Sequence, residues 1–132
     1  MNAVDTNILV RLLTADDVRQ TAAARALFQS GPIWIGKTVL LETAWVLRSA
    51  YGLDEREIAE TVARLLTVPG VIVEDDSAVL QAMQLVIHGL EFADALHLTS
   101  RPAGAGFQSF DEKFVKRAKH AGVRNISTVS AV

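Results

Sequence analysis

Five short apolar runs, separated by longer stretches with helical spacing, restrict this chain to few folds. The runs are Ala3-Val4, Ile33–Ile35, Val71–Val73, the GFQSF segment at 106–110 and Asn125–Val129. Each is three to five residues of strand-forming composition or shorter, and helical segments stand between most of them. Strands that alternate with helices predict an α/β fold in which a parallel sheet is covered on both faces. The expectation is a short central sheet of four or five strands flanked by helices.

The helix signals are local. Two aspartates open DDVRQTAAARALFQS (16–30), and Gly31 closes it. Thr38 is placed to cap TVLLETAWVLRSAY, which ends at Gly52. Asp54 with Glu57 forms a capping-box pattern for DEREIAETVARLLT. Pro69-Gly70 interrupts it. DSAVLQAMQLVIH runs to Gly89, EFADALHLTS is stopped by Pro102, and DEKFVKRAKHAG is closed by Gly122. RPAGAG (101–106) is the loosest linker but too short to divide domains, so residues 1–132 read as a single domain. With 132 residues and half of them apolar, the chain can build a core. It has no cysteine, which fits a reducing cytoplasm. No stretch reads as a signal peptide or a membrane span.

Four carboxylates draw attention. Asp5 and Asp111 each follow an apolar run and open a helix, the ordinary position of an N-cap. Glu42 has Val39, Trp45 and Val46 as helical neighbours, and Asp94 has Leu90 and Leu98. Both acids are expected to interrupt an apolar stripe, and a buried carboxylate needs a cation, a metal or a raised pKa. All four fall at or near the first turn of a helix, where the dipole favours anions. In a parallel sheet the helix starts that follow strands share one edge. Acids gathered there repel unless a hard cation sits among them. An oxygen-only set suits Mg²⁺ or Mn²⁺ rather than zinc, and such a site can activate water and stabilise in-line displacement at phosphorus.

DTNILVRLL at the start, ETAWVL around Glu42, FADALHL around Asp94 and FQSFDEKF ending beyond Asp111 resemble the PIN-domain ribonucleases. The likeness is greatest to the toxin subunits of VapBC-type toxin–antitoxin pairs. It implies a PIN-like three-layer α/β fold and a metal-dependent endoribonuclease using Mg²⁺, with Mn²⁺ able to substitute. By position Asp5, Glu42, Asp94 and Asp111 match the family's acidic quartet as catalytic and metal-holding residues. Thr6, Asn7 and Ser109 match polar residues that support them. The resemblance further implies an RNA substrate, a cognate antitoxin, and a homodimer or toxin–antitoxin hetero-oligomer. The segment 102–106 departs from the family pattern, being broken by proline and glycine where relatives often continue a helix.

Other signals compete with this reading. GPIWIGKT (31–38) matches G-x-x-x-x-G-K-[ST], the phosphate-cradling loop of nucleotide hydrolases. A helix precedes it, however, its interior is strand-like, and Pro32 lacks the N–H such a loop needs. A PIN-like module that only binds RNA or protein is the non-enzymatic alternative. His97, three residues after Asp94, is a weaker candidate ligand. The net charge of −2 attracts no phosphate globally. Local cations are therefore the candidates for RNA contact: Arg11, a turn beyond Asp5, and Lys113 and Lys116, just after Asp111. Trp34 and Trp45 read as core.

Overall fold

The strand–helix alternation is carried into the architecture of the computed structural model, which describes residues 1–131. The chain forms two compact units, Met1–Asp76 and a second from Ser77 onward.

In the first unit, β1 (Asn2–Ala3), β2 (Ile33–Ile35) and β3 (Val71–Val73) form a three-stranded sheet in that order. Both pairings are parallel, with Ala3 opposite Trp34 and Ile35 opposite Val73. Parallel neighbours need a crossover, and each crossover here holds two helices: α1 (Thr6–Thr14) with α2 (Val18–Gln29), then α3 (Lys37–Ser49) with α4 (Glu55–Leu66). Helix α1 packs on α2 and α3, α3 on α4, and α4 on β3. The central strand buries Ile33 and Ile35, and Leu9, Leu40, Leu47 and Ile58 supply the largest fully buried helical side chains of this unit.

Each helix start has its own explanation. Asp17 caps α2 by accepting from Gln20 N at 2.8 Å. Asp54 and Glu57 complete the expected capping box on α4. The cap of α3 differs from the expectation: Gly36, not Thr38, is the N-cap, and no side chain of its own bonds there. Instead Glu74, just past β3, accepts from Lys37 N at 2.9 Å. A Cβ on Gly36 would meet the Trp34 ring at 3.3 Å, so the cap lies where a side chain has little room.

In the second unit, β4 (Phe107–Ser109) and β5 (Ile126–Thr128) pair in parallel, with helix α7 (Glu112–His120) between them in sequence and packed on β5. The rings of Phe107 and Phe114 meet edge to face at 5.8 Å. Helices α5 (Asp76–Ile87) and α6 (Phe92–Thr99) precede this ladder. Thr99 Oγ1 donates to Ala78 O at 2.8 Å and ties one to the other. Arg101 donates to the carbonyls of Asn125 and Arg124, both at 2.8 Å, so the proline- and glycine-rich segment is anchored at its start. The five expected strands are all present, divided between a ladder of three and a ladder of two. Among the described residues no helix is long and apolar enough to cross a membrane.

Candidate active site

Asp5 sits one residue past Val4, at the carboxyl end of β1, and is exposed. Its Oδ1 accepts from Ile8 N at 3.2 Å, so it is the N-cap of α1. Asp111 repeats the arrangement on α7, where its Oδ1 accepts from Phe114 N at 3.0 Å. Both therefore have the ordinary structural role their positions suggest. That role uses one oxygen, and Oδ2 of each is left without a hydrogen bond among the described residues. Ser109 Oγ accepts from the Asp111 N–H at 2.9 Å and holds the turn that presents the acid. It acts on the backbone of Asp111 rather than on its carboxylate.

Glu42 departs from the expectation, whereas Asp94 stands within an apolar stripe as expected. Glu42 is exposed, and among the described residues its carboxylate bears no hydrogen bond or ion pair. The buried stripe of α3 is Leu40, Thr43, Ala44 and Leu47. Glu42 lies beside that stripe and does not interrupt it. Trp45, expected in the core, is 67% exposed. Periodicity misled here because Thr43 and Ala44, small enough for close helix packing, occupy the inner face while larger Val39 and Trp45 flank it. Glu42 also stands in the second turn of α3, whose first turn has no acid. Asp94 is half-buried in the first turn of α6, among buried Phe92, Ala95, Leu96 and Leu98, and it is not free of partners. Its neighbours Leu90 and Leu98 are buried as expected.

The first unit carries Asp5 and Glu42, and the second carries Asp94 and Asp111. Among the described residues no group of three or more His, Asp or Glu stands close enough to hold a metal ion. The donor chemistry nonetheless fits a hard divalent cation, since all four side chains offer carboxylate oxygens and at least three keep oxygens unengaged. Asp5, Asn7 and Arg11 line one groove with residues of α2, and Glu42 does not. Thr6 is buried at the start of α1, and among the described residues neither Thr6 nor Asn7 bonds to a carboxylate.

Arg11 is engaged by its own unit. Its Nη1 lies 2.8 Å from Asp16 Oδ1, and its Nε donates to Gln20 Oε1 at 2.6 Å. Tyr51 donates to the other Asp16 oxygen. That hydroxyl does most to hold the Asp16 carboxyl below its ordinary pKa; desolvation opposes it, and the Thr14 hydroxyl and Arg11 add to the lowering. Sequence reasoning left Asp16 and Tyr51 without a role. The signal for them is long-range and becomes visible only once Tyr51, 35 residues on, meets Asp16. Lys113 and Lys116 are exposed on α7 and form no ion pair among the described residues. His97 is exposed. The GPIWIGKT segment is not a phosphate loop: its Ile33–Ile35 core is β2, whose backbone is committed to β1 and β3 on either side.

The PIN-domain family model matches residues 3–120. This chain belongs to the PIN-domain family. The match spans both units of the PIN domain and contains all four acids. Family membership sets the activity class as hydrolytic cleavage of RNA, by a nuclease of the kind the sequence motifs resemble. The search of curated proteins finds no match. Among solved structures, the PIN domain is similar to the Mycobacterium tuberculosis toxin VapC20, described as cleaving the sarcin–ricin loop. The two are 22% identical with a TM-score of 0.45, over 99% of this chain and 91% of that one.

Proposed function

We propose that this PIN domain is a Mg²⁺-dependent endoribonuclease whose metal is held by Asp5, Glu42, Asp94 and Asp111. The observation that carries the reading is the family match across residues 3–120, which includes every one of the four motifs. Residues 1–132 act in this reading as a single domain. Mn²⁺ substitutes for Mg²⁺, because both are hard cations that take oxygen ligands.

The protein's own part is to place charge and hold protons. Asp5 and Asp111 are fixed by their helix caps, and among the described residues the second oxygen of each bears no hydrogen bond. Ser109 fixes the backbone that carries Asp111. Glu42, exposed and without an ion pair among the described residues, is suited to accept a proton from the attacking water. The bound cation supplies a lowered pKa for water and neutralises charge developing on the phosphate. Lys113 and Lys116 offer exposed charge to the RNA backbone.

The physiological role we propose is the toxin of a two-component pair, inhibited by a cognate antitoxin and assembling with it or with a second copy of itself. Lack of cysteine is compatible with work in a reducing cytoplasm. The test is cleavage of single-stranded RNA with Mg²⁺ by the wild-type chain and by Asp94→Asn. The expected result is cleavage by the first and loss of at least about a hundredfold in the second, the scale of removing a group that stabilises transition-state charge. Equal rates would refute the assignment. RNA binding without cleavage by the wild-type chain would favour the non-catalytic alternative.

A further inference from the structure

Arg11 is held more firmly than a surface arginine needs to be. Its Nε and Nη1 are fixed by Gln20 and Asp16, with the Tyr51 hydroxyl also 3.5 Å from Nη1. Its carbonyl accepts from Ala15 N at 3.1 Å and from Thr21 Oγ1 at 3.2 Å. Both oxygens of Asp16 are themselves occupied, one by Arg11 and Thr14 and the other by Tyr51. The anchored edge of the guanidinium is thus saturated, while Nη2 has no acceptor among the described residues. The side chain remains 30% exposed. It opens on a groove of about 480 Å³ whose lining includes Asp5, Asn7, Ile8, Gln20 and Leu27.

We propose that Arg11 is a pre-oriented phosphate-binding residue, and that Asp16, Tyr51 and Gln20 position it to grip the backbone of a single-stranded RNA entering the Asp5 groove. This rests on the nuclease reading and adds a subsite to it. Arg11 follows Asp5 by six residues, about 9 Å along a helix axis. The phosphate we assign to Arg11, within hydrogen-bond reach at about 3 Å, is a neighbour of the one at Asp5. Arg11 holds a neighbouring position on the strand and acts on binding rather than on the chemical step. Asp16 offsets the charge of Arg11, so the attraction is short-ranged and depends on the direction of the free N–H groups, which a planar guanidinium supplies and an ammonium does not.

The test uses the full chain, a short fluorescein-labelled single-stranded RNA and steady-state cleavage with Mg²⁺. Arg11→Gln is expected to raise KM roughly tenfold, the equivalent of one charge-assisted hydrogen bond, with kcat within about twofold of wild type. The slope of log binding constant against log salt should fall by about 0.7, the value for one phosphate contact on a single strand. Arg11→Lys keeps the charge and should recover only part of the affinity. Tyr51→Phe leaves every charge in place and should raise KM a few-fold, which a merely structural hydroxyl would not do once thermal denaturation shows both chains folded. Unchanged KM and salt slope in Arg11→Gln, with cleavage intact, would overturn the subsite and leave the nuclease reading standing. Arg11-dependent binding by a wild-type chain that cleaves nothing would do the reverse.

Discussion

Asp5 is both a helix cap and a proposed metal-holding residue, and two substitutions separate those roles. The Asp5 Oδ1 bond to Ile8 N satisfies one of the orphan N–H groups of α1. Asn supports this bond as well as Asp, whereas Ala loses it at about 1 kcal/mol. Either change also removes a negative charge from the helix N-terminus, worth about 0.5 kcal/mol at an exposed site. The residue is exposed, so truncation opens no cavity. Asp5→Asn should thus cost about 0.5 kcal/mol and Asp5→Ala about 1.5 kcal/mol. Helix α1 buries Leu9 and Val10 and packs on α2 and α3, so its loss is felt by the whole first unit. With a urea slope of about 1.5 kcal/mol/M, midpoints should fall by about 0.3 M for Asn and about 1 M for Ala. Both variants should lose RNA cleavage alike. An Ala variant that unfolds at the wild-type midpoint, or an Asn variant that falls as far as Ala, would refute the capping argument. Cleavage that tracked stability instead of charge would refute the metal role.

Three further outcomes follow from the structure. Thr43 is 2% exposed and its hydroxyl is buried with no partner, so Thr43→Val should stabilise the protein by about 1 kcal/mol and raise Tm by a few degrees; a lower Tm would contradict this. Asp16 titrates below its ordinary value in the folded chain, so its stabilisation is present above about pH 4, the ordinary carboxylate pKa, and is lost as pH falls through the lowered value. Asp16→Asn should accordingly be less stable than wild type at neutral pH, and the gap should close in acid; a gap constant with pH in thermal melts would count against it. Chelation with EDTA should abolish RNA cleavage, and either Mg²⁺ or Mn²⁺ should restore it, whereas cleavage undiminished in EDTA would remove the metal from the account.

Much of the fold is legible along the chain because its signals are local. Asp54 with Glu57, Pro69-Gly70 and the β-branched runs each act within a few residues, and the structure has the capping box, the break and the strands where they indicate. The start of α3 is less legible. Its N-terminus is satisfied by Glu74, 37 residues from Lys37, and no local pattern encodes that. Asp5 and Asp111 were found from strand-then-helix spacing, and both stand at the ends expected. Helical periodicity puts Glu42 within a core stripe, but its helix buries Thr43 and Ala44 and turns Trp45 to solvent, so that stripe is not interrupted. The motif around Glu42 supports its assignment where periodicity does not. The Arg11–Asp16–Tyr51 arrangement was invisible because it joins three segments through side chains alone.

In the proposed nuclease, Asp5, Glu42, Asp94 and Asp111 serve one metal ion site. Paramagnetic Mn²⁺ tests it most directly, through the broadening of backbone amide NMR signals as the ion is added. The account predicts that the signals of all four residues broaden together at the lowest Mn²⁺ and that Asp94→Asn weakens the effect at every one of them. Broadening confined to one pair of acids, or scattered over unrelated carboxylates such as Glu60 and Glu112, would contradict it.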